Sequence, residues 1–111
     1  MKRDYKLFIN DIKESVKQIE EYLKGISKEQ FIENRMLQDA IVRRLEIIGE
    51  ASKNIPPALR EKNKQVSWSE LSQFRNLMAH SYYEVSLTKI WDTLTKRIPG
   101  IKESLKNIKL V

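Results

Sequence analysis

The sequence predicts an all-α bundle, and three observations predict it. Apolar residues recur at three- and four-residue steps over long stretches. Nothing alternates with a period of two over a useful length. Only three Gly and three Pro occur in 111 residues, too few for a turn-rich all-β architecture. Apolar residues make up 41% of the chain, enough to close a core, so disorder is not expected. One domain over residues 1–111 is expected.

The first helix is expected from about Asp4 to Lys24. Tyr5, Phe8, Ile12, Val16, Ile19 and Leu23 form its apolar stripe, and Gly25 follows as a C-terminal cap. Ser27 opens a short turn of helix, with Gln30 three residues on to complete a capping box. A second long helix is expected over roughly Asn34 to Asn54, with Leu37, Ile41, Leu45 and Ile48 on its buried face. Pro56 and Pro57 stop it, and Pro57 to Val66 reads as a polar, basic loop with room for one helical turn.

A third helix starts at Ser67 or Ser69 and ends near His80, with Leu71, Phe74 and Met78 as its stripe and Trp68 at its entry. Ser86 can cap a fourth, which holds Leu87, Ile90, Trp91 and Leu94. Pro99-Gly100 is expected to kink or break that helix before a last amphipathic segment through Leu105 and Ile108. Four long helices with short connections make a bundle.

Composition excludes several function classes. There is no cysteine, so disulfides and thiolate metal sites are excluded, which fits a reducing cytoplasm. No run of 18 apolar residues offers a membrane span, and the charged N-terminus lacks a signal-peptide core. A cytoplasmic protein is expected. Net charge is +6, and residues 56–111 carry ten basic against five acidic groups. That surplus permits contact with a polyanion such as RNA. On charge alone a solvated lysine-rich surface is the better account of it.

The chain holds a single histidine. It sits in Arg75-Asn76-Leu77-Met78-Ala79-His80-Ser81-Tyr82, at the end of the expected third helix. Five residues of ideal helix turn through about 500°, so Arg75 and His80 project about 140° apart. Asn76 and His80 stand four apart and share a face, so Asn76 can hydrogen-bond the imidazole and set its tautomer. A guanidinium can fork onto a phosphate, and an imidazole can serve as acid or base near neutral pH. Arg plus His without metal ligands suits RNA cleavage by the 2′-hydroxyl. If two titrating groups are needed, a two-fold dimer supplies the second His80. A surface His near a helix end, with an unrelated Arg, is the competing structural reading.

Other residues carry weaker signals. Glu46 and Glu50 are i, i+4 on the second helix, and without a clustered third ligand they read as a solvated salt-bridge face rather than a metal site. Glu50 can also pair with a basic group near the site. Gly49 inside a helix costs about 1 kcal/mol relative to Ala, which a close helix approach explains. Trp68 and Trp91 fall on apolar spacing, which favours the core over base stacking.

The Arg75–Tyr82 stretch resembles the signature of HepT-like HEPN toxins. Leu37-Gln38-Asp39-Ala40-Ile41 and Leu45-Glu46-Ile47-Ile48-Gly49-Glu50-Ala51-Ser52-Lys53 are similar to that family's second helix, and Val66-Ser67-Trp68 and Ile90-Trp91 also fit. The resemblance covers about residues 4 to 110. It departs at Ser72-Gln73-Phe74, where the family more often has aliphatic or Gly-Met residues.

The resemblance implies a HEPN four-helix up-and-down bundle with short extra helices, acting as a homodimer. It implies a metal-independent endoribonuclease, the toxin of a type VII HEPN/MNT toxin–antitoxin pair, with no cofactor. Arg75 and His80 become the catalytic pair and Asn76 a supporting residue. An MntA-type nucleotidyltransferase becomes the antitoxin, which transfers AMP to Tyr82. A bulky phosphate there competes with RNA for the same cation. The alternative is a non-catalytic helical subunit that binds a nucleotidyltransferase, and a plain RNA-binding bundle is a third class.

Overall fold

A computed structural model describes residues 4–81 and 87–109, with the side chains of residues 76–81 left aside. The chain order is α1 (Tyr5–Leu23), α2 (Lys28–Glu33), α3 (Arg35–Lys53), α4 (Pro57–Lys62), α5 (Trp68–Ser81) and α6 (Leu87–Leu105). Among the described residues, four long helices and two short ones make an all-α bundle. No described residue is in a strand.

Local chemistry sets the helix ends. The Asp4 carboxylate accepts from the Lys6 N–H at 2.9 Å and opens α1. Gly25, at φ +74°, lets the chain leave α1 through the left-handed region. Ser27 and Gln30 form the reciprocal capping box at α2, with bonds of 3.1 and 2.8 Å. Asn34 ends α2 and caps α3 through the Leu37 N–H. The Gln38 amide then donates to the Phe31 and Ile32 carbonyls at the end of α2, which holds that short helix against α3.

The buried stripes assemble as their spacing predicts. Ile12 and Ile19 of α1, Ile41, Leu45 and Ile48 of α3, Leu71 of α5, and Ile90, Leu94 and Ile98 of α6 are almost wholly shielded from water. Phe31 of α2 joins them, with the half-buried Trp91 ring 5.6 Å away, centroid to centroid. Neighbouring long helices run antiparallel. Tyr5 and Phe8 of α1 sit beside Lys53 and Asn54, while Asp11 and Glu14 sit beside Arg43 and Arg44. An ion pair of 2.9 Å joins Glu20 of α1 to Lys102 of α6.

Two expectations are corrected. Pro57 to Val66 is not simply a loop, because Pro57 starts the six-residue α4, where its missing N–H costs nothing. Pro99-Gly100 does not break the last helix, since α6 runs continuously from Leu87 to Leu105 with Pro99 inside it. The reason is packing. Leu94, Ile98, Ile101 and Leu105 keep one buried stripe on both sides of the proline, while Pro99 and Gly100 lie on the exposed face. Burial of that stripe offsets the lost hydrogen bond. Ser86, the expected cap, lies outside the described residues.

Candidate active site

The site is built on the crossing of α3 and α5. Gly49 is buried in α3 at the point where α5 comes closest. A Cβ placed there would stand 2.6 Å from both the backbone N and the Cβ of Arg75. Only the absence of a side chain admits that approach. One turn further along, the Ser52 and Ser72 hydroxyls meet at 3.2 Å, and Ser52 Oγ also donates to the Gly49 carbonyl. Gly49 and Ser52 on one helix therefore oppose Arg75 and Ser72 on the other, each pair three residues apart. Small residues at that spacing let two backbones touch, and the contact fixes both register and depth.

The C-terminal end of α3 is held from the other side. Arg60 of α4 donates from Nη2 to the Ser52 carbonyl at 2.8 Å. A cation at a helix C-terminus is favourable, so α4 fastens the turn that carries Ser52. The position of α5 is also set at its start. Trp68 is buried, and its indole N–H donates to the Asn63 carbonyl at 3.0 Å. Arg97 of α6 forks onto Glu70 through two hydrogen bonds of 2.8 Å. The hydrogen bond, and then the charge of Glu70, raise the Arg97 pKa above its ordinary value.

On this support Arg75 is exposed to solvent. No ion pair or side-chain hydrogen bond occupies it among the described residues. Its guanidinium is free to fork onto an anion, while its backbone sits close against Gly49. The helix stays regular through Ser81, so the chain does not unwind before His80. Arg75 and His80 thus keep the angular separation of about 140° that five helical residues impose, while Asn76 and His80 occupy i, i+4 positions. The Asn76 and His80 side chains and all of Tyr82 lie outside the described residues.

Glu50 follows Gly49 but lines a different surface. It faces the cleft between α1 and α3, with Asp11, Glu14, Arg43, Arg44 and Asn54. It is exposed and makes no ion pair among the described residues. Glu46 likewise has none among them, so the expected salt-bridge face on α3 is not seen there. Trp68 and Trp91 both pack inward, as their spacing predicts. The Ser52–Ser72 pair and the Arg60 clamp are not anticipated from the sequence. Their one signal was Ser52, a small residue three after Gly49.

Fold and site together define a class: an all-helical bundle with an exposed arginine carried on a glycine-locked helix. Comparison with known proteins narrows it. The family model described as ribonuclease HepT-like matches residues 12–108. A Thermococcus cleftensis protein named as a probable ribonuclease HepT is 36% identical over 109 residues, spanning 98% of this chain and 99% of its own. A Caldanaerobacter subterraneus subsp. tengcongensis protein named as a candidate RNase is 44% identical over 88 residues, 79% of each chain. A Methanocaldococcus jannaschii protein named as a gamma-glutamylcyclotransferase and candidate RNase is 41% identical over 108 residues. Those residues are 97% of this chain but 49% of that protein, so the chain spans about half of this relative's length. No solved structure matches the chain. The chain belongs to the HepT-like ribonuclease family.

Proposed function

We propose that this chain is an endoribonuclease that cuts RNA without a metal ion, works in the cytoplasm as a homodimer, and is the toxin of a type VII HEPN/MNT pair. The observation that carries the reading is Arg75. It is a solvent-facing guanidinium, held at its backbone against Gly49, in a family of HepT-like ribonucleases. Such a group binds a phosphodiester and stabilises charge growing on its non-bridging oxygens.

The chemistry follows from the residue types. A base takes the proton of the 2′-hydroxyl, and that oxygen attacks the adjacent phosphorus. The bond to the 5′ oxygen breaks as an acid protonates it, leaving a 2′,3′-cyclic phosphate and a 5′-hydroxyl. His80 serves as acid or base, and Asn76 orients it. One histidine per chain supplies one such group. The regular helix between Arg75 and His80 keeps them on different faces of α5, which favours a site completed by a second copy. Glu50, on the neighbouring cleft, is a supporting residue at most. An MntA-type nucleotidyltransferase silences the toxin by adding AMP to Tyr82, a phosphate that competes with RNA for the same cation.

The test is cleavage of total RNA in EDTA by the unsubstituted protein, Arg75→Ala and His80→Ala. Each is freed of co-purified partner and checked by intact mass for added AMP. Cutting by the unsubstituted protein alone is expected. No cutting by unmodified, dimeric protein overturns the reading and favours a non-catalytic subunit that binds a nucleotidyltransferase. Cleavage of an RNA lacking 2′-hydroxyls overturns the mechanism.

A further inference from the structure

Ser52 is fully buried, and its hydroxyl lies between the two helices of the α3–α5 crossing. A hydroxyl has one proton to give. Ser52 gives its own to the Gly49 carbonyl at 3.1 Å. In the 3.2 Å contact between Ser52 and Ser72 either oxygen could donate by geometry. The proton count decides it: Ser72 donates and Ser52 accepts. The result is a directed chain, from Ser72 of α5 through Ser52 to the Gly49 carbonyl of α3. It starts one turn before Arg75 and ends on the residue whose missing Cβ would strike the Arg75 backbone. Arg60 holds the same turn of α3 through the Ser52 carbonyl at 2.8 Å, so the Ser52 end of the pair is itself fixed.

We propose that Ser52 and Ser72 are positioning residues for Arg75. Their hydrogen bond fixes where along α3, and at what rotation, α5 presents the guanidinium to a phosphodiester. The proposal rests on the ribonuclease reading above. Gly49 opens room for a close approach, but room alone permits sliding. The buried Leu71 and Phe74 of α5 permit it too, because burial of apolar surface is non-directional. A hydrogen bond weakens steeply as its geometry departs from the optimum, so of these contacts the hydroxyl pair is the one that resists a shift. Stability alone does not call for it. Replacing both partners of a buried hydrogen bond by apolar groups is nearly neutral, and the Gly49 carbonyl keeps its place in the helix ladder. What the pair adds is position, and position tells most in the transition state. A displacement of about 1 Å at a catalytic group costs on the order of a hundredfold in rate. A bound ground-state phosphate is less demanding, because a long arginine side chain can follow it. The pair therefore acts on kcat rather than on KM.

The experiment measures kcat and KM for cleavage of a defined single-stranded RNA by the unsubstituted protein, Ser52→Ala/Ser72→Ala and Ser15→Ala. Each is assayed well below its melting temperature, where it is fully folded. Ser15 is a matched control: it is fully buried on α1, and its hydroxyl has no hydrogen-bond partner among the described residues. The pair variant is expected to lose about tenfold or more in kcat, with KM held within about twofold. Ser15→Ala is expected to keep both. Unchanged kcat in the pair variant, a loss that falls on KM instead, or an equal loss in Ser15→Ala overturns the proposal. A second readout needs no cutting. Nitrogen relaxation dispersion at the Arg75 backbone amide is expected to show millisecond exchange in the pair variant, and none in the unsubstituted protein or Ser15→Ala. If the unsubstituted protein does not cut RNA, the ribonuclease reading falls and dispersion alone judges the pair. Exchange then sustains the pair's hold on Arg75, and a flat profile overturns it.

Discussion

At the scale of single residues, the three glycines do three different things, and substitution by alanine separates them. At Gly49 the added Cβ meets the Arg75 backbone at 2.6 Å. Overpacking costs about 1–3 kcal/mol against about 1 kcal/mol of helix propensity gained. Gly49→Ala should therefore lower stability in urea titration and, on the function proposed, impair RNA cleavage by displacing Arg75. At Gly100 an added Cβ meets nothing within 4 Å, and the residue sits inside the exposed face of α6. Gly100→Ala should raise stability by about 0.5–1 kcal/mol in the same titration. At Gly25 there is also open space, but φ is +74°. Gly25→Ala should cost about 1 kcal/mol through backbone strain alone. A common shift in all three variants would sink the distinction between contact, propensity and strain.

At the scale of elements, Asn63 couples the two ends of the C-terminal half. It is fully buried between α4 and α5. Its side-chain amide donates to the Leu59 and Lys109 carbonyls at 2.9 and 3.0 Å, and its Oδ1 accepts from the Lys109 N–H at 2.7 Å. Asn63→Ala leaves these groups unpaired and should cost about 2–3 kcal/mol. Faster amide hydrogen exchange at Lys109 would show that the segment after α6 has come loose. Nothing in the sequence marks Asn63, because a polar residue between basic ones looks solvent-facing until the chain's end is seen folded over it. The helices themselves were legible, since a stripe such as Leu37–Ile41–Leu45–Ile48 depends only on local spacing. The cap at Ser27 was legible for the same reason. Pro99 was misread because a local rule was applied where tertiary packing wins. Pro99→Ala should restore the missing bond and raise the melting temperature, by an amount equivalent to about 1–3 kcal/mol. At the site, the closeness behind Gly49 was readable from one glycine on a buried face. Its partner was not, since that depends on which helix crosses there.

At the scale of the whole molecule, charge and assembly are the open levers. Arg97 and Glu70 tie α6 to α5 at the surface, and the raised pKa of Arg97 fixes the sign of its pH dependence. A raised folded-state value means the contribution is present below the unfolded value and is lost as pH rises through the folded one. Both lie in strong alkali. The stability gap between the unsubstituted protein and Arg97→Gln should therefore stay level from neutral pH into mild alkali, and added salt should narrow it. A gap that closes near neutral pH in thermal melts would show that another group titrates there. The proposed composite site makes a different demand. Specific RNA-cleaving activity should fall as the protein is diluted through its dimer dissociation range, measured beside sedimentation equilibrium. Constant activity in fully monomeric protein would place the whole site within one copy. No helix among the described residues is long and apolar enough to cross a membrane.

The contact behind Arg75 also has a genetic consequence. A core lesion made by enlarging one side chain is commonly relieved by shrinking its neighbour. Gly49 offers no such escape, because what an added methyl strikes includes the Arg75 main-chain nitrogen, and no codon change removes a main-chain atom. A search for second-site suppressors of Gly49→Ala should return true revertants, together with distant changes that strengthen the bundle as a whole, and nothing at the crossing itself.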